Sequence, residues 1–490
     1  MKNTDYRVID ARTLAKRNIA TNSAAQTAVR PGLRRLKTAS SLTYEGGFSV
    51  NDAQTGALYH YIVTATTDTP YSLAAIILDE HLTQLDSTVI EANVLPRVVS
   101  HGRILSHIVM GGPDLPSQWC LVGNGVRVAE KVDRETLSTI EMPQGLFCSW
   151  MNRIVQADGS TLRFSVPVAI TGGSPRTFLG ANQVGMRGGI FGLHTGAGGM
   201  LVICTDVGVY GLDPSAAAVA IVNSTSADIR LLSHHRTTTF QSTCEVNGRV
   251  YGLTKNGFRL IDVESAPEVD LDDPLITRAL EKRISLGDYR EARMFAGEGG
   301  PIIGADSIPA LWVTEEQGGI SSWWTASSSA TMKLRAVLRD VDGTDLLVMT
   351  DGIYVADGNF DGTQALTSAF GTQPTGFFHG EVPTGPHENE TVKHVYVSAA
   401  DGDVTAALRG DSQTSTSYRD SIYGAVEGSS VWGGSWRYVT PPTVAHRLDF
   451  DVNSNDLAVE AGVSGAGNRI QPVVTIEMAR TGKNRPQDRG

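Results

Sequence analysis

A strand, a tight turn and a second strand closing on an acidic residue recur along this chain at a nearly regular spacing, which constrains the fold more than any other feature. Four copies align by eye: Trp119-CLVGNGVRVA-Glu130, Leu201-VICTDVGVYGL-Asp213, Val250-YGLTKNGFRLI-Asp262 and Leu346-LVMTDGIYVA-Asp357. In each, an apolar run meets Asn-Gly, Asp-Gly or a short glycine-containing loop, where positive φ is cheap and the backbone twist suits a hairpin. Weaker copies fill the gaps: Tyr61-IVTATTDTPYSLAAIIL-Asp79, Ile154-VQADGSTLRFS-Val166 and Ile302-IGADSIPALWV-Thr314. The turns near 69, 125, 159, 208, 257, 305 and 352 are 56, 34, 49, 49, 48 and 47 residues apart, within the range of four-stranded propeller blades. A closed ring of blades hides sheet edges that one small twisted sheet leaves bare. The expectation is an all-β protein whose residues 42–372 form a β-propeller of about seven blades. A right-handed parallel β-helix repeats every 20 to 25 residues or so, too short for this spacing.

Composition agrees: 52 glycines, 41% hydrophobic and 19% charged residues describe a folded chain of many short strands. A length of 490 residues asks for more than one structural unit. After about residue 375 the hairpin pattern changes. Gly376-FFHGEVPTGPHENE reads as loop, and His394-VYVSA, Val404-TAALRG, Arg447-LDFDVN and Val473-VTIEMA read as strands, so residues 373–478 are expected to form a small C-terminal β-sandwich. Residues 479–490 read as a disordered tail. Asp273-PLITRALEKRIS-Leu286, with Asp273 as cap and Pro274 at the first position, predicts one excursion helix.

Residues 1–41 read as a basic N-terminal arm. Its first 40 residues hold nine bases (Lys2, Arg7, Arg12, Lys16, Arg17, Arg30, Arg34, Arg35, Lys37) against Asp5 and Asp10, or +7, which leaves −18 of the total −11 for the remainder. An acidic body repels phosphates, which suits a surface that DNA slides past, or it is ordinary solubility charge. The sequence has no apolar leader after Met1 and no membrane-spanning segment. Cys120, Cys148, Cys204 and Cys244 are dispersed, without the two-residue spacing of metal knuckles, and read as reduced core thiols.

Enzyme signatures are missing. His387-Glu388 lacks a histidine three positions on, and Gly192-LHTGAGG-Met200 has no Walker lysine and lies between strands, so it reads as a turn at a blade edge. Asp340-VDGT-Asp345 resembles a calcium-loop fragment without the distal glutamate, and adjacent His234 and His235 would face opposite sides of a strand. The rival from another class is a propeller glycoside hydrolase with carboxylates meeting at the axis. Glu130, Asp213, Asp262 and Asp357, however, occupy the same place in each repeat, which reads as turn chemistry common to every blade. No catalytic residue, metal ligand or cofactor is assigned. Trp323, Trp324, Trp432 and Trp436 can form a sugar platform, the mark of a glycan-binding adhesin, or anchor a subunit interface; the second reading is preferred.

Arg17-Asn18-Ile19, followed by Val29-Arg-Pro-Gly-Leu-Arg-Arg-Leu36, resembles the opening of the tail nozzle proteins (tail tubular protein B) of short-tailed bacteriophages. Ile190-FGLHTGAGGMLVICTDVGVYGL-Asp213, Ser322-Trp-Trp-Thr325 and the stretch Arg447-LDFDVNSNDLAVEAGV to Ile470-QPVVTIEM are similar to later parts of that family, in order. The resemblance, shared with related tail hub proteins, implies a homohexameric ring in the virion tail, assembled in the host cytoplasm, below portal and adaptor proteins and alongside tail fibres or spikes. Such a ring retains packaged DNA and conducts it at ejection, with no catalytic residue. An assembly arm built on Arg17, Asn18, Arg30, Pro31, Gly32, Leu33 and Arg34 is the corresponding expectation, since an Arg-Pro-Gly turn fixes φ and reverses the chain; a plain turn leading into the first strand is the alternative.

Overall fold

The computed structural model describes residues 4–9, 15–21, 26–51, 55–67, 71–94, 106–112, 115–123, 127–131, 137–141, 145–151, 153–165, 178–214, 229–237, 241–254, 257–262, 293–305, 308–313, 322–325, 333–358, 360–362, 374–381, 390–399, 403–409, 414–419, 444–453 and 458–480. Among them strands dominate, and seven antiparallel sheets follow one another along the chain as blades: 42–94, 106–141, 146–185, 190–233, 243–260, 293–325 and 334–358. Neighbouring blades pack in sequence around the ring, and the seventh, through Leu334–Arg339, packs on Leu42–Asn51 of the first. The protein is an all-β propeller. Each of the seven hairpins read from the sequence is the hairpin between the second and third strands of its blade.

Those central strands explain why the sequence shows continuous apolar runs where simple alternation might be expected. Along Leu58–Thr66, Tyr59, Tyr61, Val63 and Ala65 enter one core, while Ile62 joins Leu338, Leu346, Val348 and Ile353 of blade seven in another. Leu201 and Ile203 face the core shared with blade three, whereas Val202 and Cys204 face the one containing Val250 and Ile261 of blade five. The period of two is kept, but both faces are inside, so both sets must be apolar. Burying one such side chain contributes about 1.5–3 kcal/mol, and blades one and four do so on both faces.

The segment expected to stand apart as an arm is built into both bodies. Its strands are β1 (Thr4–Ile9), β2 (Ala15–Arg17), β3 (Ile19–Thr21), β4 (Thr27–Val29) and β5 (Gly32–Thr38). Strand β5 pairs antiparallel with Gly352–Gly358 as the fourth strand of blade seven, so the ring is closed by joining the chain's beginning to its last blade. Strand β1 pairs with Ile470–Arg480 in a four-stranded sheet with Glu390–Ala399 and Val444–Asn453. Strand β2 lies between Ser322–Thr325 of blade six and Thr375–Glu381, so one nine-stranded sheet runs from the propeller into the C-terminal body. A single core joins the two C-terminal sheets and includes Ile9, Ile19 and Val29 beside Phe378, Val395, Val459 and Ile476.

Two stretches differ from expectation. Thr375–Glu381, read as loop for its glycines, is a strand. Its Phe378 is wholly buried, and Gly376 is needed because a Cβ there would stand 2.6 Å from Ile19 Cδ1. The last strand runs to Arg480, past the expected end at 478, because Ala479 still pairs with Thr4. Residues 273–286, expected as a helix, and 481–490, expected as tail, lie outside the described residues.

Candidate functional site at the N-terminal junction

The residues singled out as an arm, together with Trp324, converge where β2 to β5 pass between propeller and sandwich. Asn18 starts the arrangement. It adopts a left-handed conformation (φ 57°), which Asn tolerates better than most side chains. The bend turns its side chain so that Nδ2 donates to the Thr375 carbonyl (3.0 Å) and Oδ1 accepts from Arg30 Nε (3.0 Å). The backbones are tied as well, Arg30 N–H donating to the Asn18 carbonyl at 2.9 Å.

Arg30 and Asp361 both have side chains at 0% exposure. Arg30 Nη1 donates to Asp361 Oδ1 (2.8 Å) and to the Pro31 carbonyl (2.7 Å), and Nη2 donates to Asp361 Oδ2 (2.7 Å). Asp361 Oδ1 also accepts the Leu33 N–H at 2.9 Å. Such a pair is tolerable inside a protein only because the fork is matched and the remaining polar atoms find partners. Gly32 follows from the same closeness: a Cβ on it would stand 2.6 Å from the Phe360 backbone. Leu33 is buried, and its carbonyl accepts the Gly362 N–H at 2.8 Å. Arg-Pro-Gly-Leu is therefore the seat for Asp361.

Trp324 is half-buried here, its Nε1 donating to the Ile19 carbonyl at 3.3 Å and its ring 5.9 Å from the Arg30 guanidinium carbon. Ile19 N–H donates to Ser322 Oγ at 3.0 Å. Arg17 stacks over Phe377 at 4.1 Å, stands 3.9 Å from Glu460, and its backbone pairs in parallel with that of Trp323. Arg34 pairs with Asp357 nearer the surface, Nε donating to Oδ1 at 2.8 Å. Trp432 and Trp436 lie outside the described residues. Sequence reasoning missed Asp361, because nothing local links it to Arg30, 331 positions away.

The blade-end acids stand one to a blade. Asp262 accepts from Arg249 of its own hairpin (3.1 and 3.3 Å), and Asp357 from Arg34. The glycine-rich run continues Ile190–Thr195 into a short turn over Ala197–Gly199, where the Gly199 carbonyl accepts from Trp150 Nε1 at 2.7 Å. Asp342 caps its own hairpin through Thr344 N–H at 2.9 Å. Among the described residues, no three His, Cys, Asp or Glu side chains are grouped to hold a metal ion. Burial pushes the Cys148 and Cys204 thiols up to about 12, which keeps them protonated at neutral pH. No described helix is long and apolar enough to cross a membrane. What this junction does is mechanical: it fixes propeller, sandwich and chain start to one another.

No family model matches the chain, and no curated protein matches it. Among solved structures, a streptogramin B lyase is 10% identical over 66% of this chain and 96% of its own, with a TM-score of 0.36. The extracellular domain of a hybrid two-component system from B. thetaiotaomicron is 9% identical over 81% of this chain and 56% of its own, with a TM-score of 0.41. A structure of ctPRC2 with H3K27me3 and H3K27M is 9% identical over 64% and 94%, with a TM-score of 0.33. Likenesses at this level do not bear on what the chain does, and the propeller is established by the chain's own seven sheets.

Proposed function

We propose that the chain is a non-enzymatic structural subunit of a short-tailed phage tail, of the nozzle or hub kind, which assembles as a ring, retains packaged DNA and conducts it at ejection. One observation carries this reading. The residues that resemble the nozzle family, Arg17-Asn18 and Arg30-Pro31-Gly32-Leu33, hold propeller and sandwich together through a buried, fully matched ion pair. A channel subunit under internal pressure must transmit force between its parts without hinging, and a shared sheet, a shared core and a buried fork serve that need. The net charge of −18 outside the first 40 residues suits a wall that does not hold phosphates. On this reading the ring is a homohexamer in the virion tail, assembled in the host cytoplasm, with portal or adaptor proteins on one side and tail fibres or spikes as further partners.

Electron microscopy and mass photometry of the purified full chain test it. Six-fold rings with a central channel are expected. A stable monomer at micromolar concentration, or steady turnover of chromogenic glycosides, would overturn it.

A further inference from the structure

The ring closes between blades seven and one, where a serine bridges the two beside their shared core. Ser49, on Leu42–Asn51 of blade one, accepts the backbone N–H of Arg339 from blade seven at 2.9 Å. Its Oγ also lies 2.9 Å from Nδ1 of His60, on the neighbouring strand Leu58–Thr66. His60 is wholly buried, at 0% exposure. We assign the proton of the neutral imidazole to Nε2, so that the serine hydroxyl, which accepts from Arg339, donates to Nδ1. Nε2 is buried without a hydrogen-bond partner among the described residues.

We propose that the junction between the seventh and first blades is an acid-sensitive latch, closed only while His60 is neutral. A second proton on Nδ1 would remove the acceptor that orients the serine hydroxyl. It would also place a full positive charge where one of the two ring N–H groups has no acceptor. The charged groups around His60 offset this only in part. Asp340 of blade seven and Asp79, beyond Tyr71–Leu78, favour the charged ring from a distance, yet burial outweighs both and holds His60 down to about 4. Arg339 is held at 2.7 Å by Asp345, and Glu45 stands 3.6 Å from Arg335 across the same junction. Leu115–Gly123, the strand of blade two that packs on this one, contains no Asp, Glu, Lys or Arg.

The sign follows from the lowered value. The unfolded or opened chain takes up a proton near the ordinary 6.5 and the closed ring only near 4, so the latch is intact above 6.5 and weakens as pH falls through that interval. At pH 5 the open form gains on the order of twentyfold relative to pH 7 from this group alone.

Hydrogen exchange on the full chain at pH 7 and pH 5, corrected for intrinsic rates, reads the opening directly. Peptides covering 42–66 and 334–349 should lose roughly twentyfold in protection at pH 5, whereas those of 146–165 in blade three should not. In His60→Gln, which cannot titrate, the junction's protection should not change with pH. Ser49→Ala, which takes the acceptor from Arg339 N–H, should leave the junction open at both pH values. Equal acid loss in blade three, an unchanged acid response in His60→Gln, or a closed junction in Ser49→Ala would each sink the proposal. If His60→Gln fails to fold, the Ser49→Ala comparison and the wild-type blade contrast still decide it.

Discussion

The propeller and the sandwich are both antiparallel β-structure, and they are put together from the chain in opposite ways. Among the described residues, the strands of the first six blades are consecutive in sequence, whereas the seventh is completed by β5 and the sixth is bordered by β2. In the sandwich, Thr4–Ile9 pairs with Ile470–Arg480, Ala15–Arg17 with Thr375–Glu381, and Glu390–Ala399 with both Val444–Asn453 and Ile470–Arg480. A blade can form as soon as its own residues are made. The sandwich cannot be completed until the last strand meets the first, so it carries the larger loop-closure cost and depends on contacts far apart in sequence. The N-terminal segment links the two through separate strands, since β5 completes the ring and β1 and β2 complete the sandwich.

Removing residues 1–28 should separate the two regions and have the largest effect. The deletion takes away β1 to β3, most of β4, the Asn18 acceptor and two core residues, Ile9 and Ile19, but leaves β5 and Arg30 in place. Blade seven stays closed, so limited proteolysis should cut readily within 374–480 while 42–358 persists as a resistant fragment. Loss of both regions together would mean that the sandwich supports the ring, contrary to the comparison drawn above.

Arg30→Ala comes next, because it strands Asp361 as a buried, uncompensated carboxylate. A loss of about 3–5 kcal/mol in urea unfolding is expected, with both regions affected. Replacing both partners, as Arg30→Met with Asp361→Leu, should recover much of that loss. If the double replacement is as unstable as the single one, the pair's worth lies in its contacts to Asn18, Pro31 and Leu33 rather than in its charges. Phe378→Ala should cost about 3 kcal/mol by opening a cavity in the sandwich core alone, and hydrogen exchange should show blades two to five unchanged.

The same contrast decides what was legible in the sequence. Asn124-Gly125 and Asp351-Gly352 announce their hairpins because a turn is written in adjacent residues, and two-faced burial turns Leu201 to Thr205 into an apolar run that is hard to miss. Ring closure was not legible: β5 reads as part of a basic arm, since Arg34, Arg35 and Lys37 hide a strand whose partner is some 320 residues away. Thr375–Glu381 was hidden by Gly376, which is there for close approach and not for a turn. At the junction, Arg17-Asn18 and Arg-Pro-Gly-Leu were visible as unusual, but their meaning rests on Asp361, for which no local pattern exists. Trp324 stands out in the sequence as an anchor, but its bond to the Ile19 carbonyl, 305 positions away, has no local pattern.

The mildest prediction tests whether burial or mere pairing gives the junction its strength. Arg34–Asp357 joins the same two strands as the ring closure and has a matched fork, as Arg30–Asp361 does, yet its side chains are 22% and 41% exposed. Water competes for both groups, and Arg34 gives up side-chain freedom to hold one geometry. The hydrogen bond to Asp357 still shifts the Arg34 guanidinium upward. A double-mutant cycle with Arg34→Ala and Asp357→Ala should return a coupling below about 1 kcal/mol that shrinks further at high salt. A coupling as large as that of Arg30–Asp361 would show that closing the ring, and not taking a charge out of water, is what makes these pairs count.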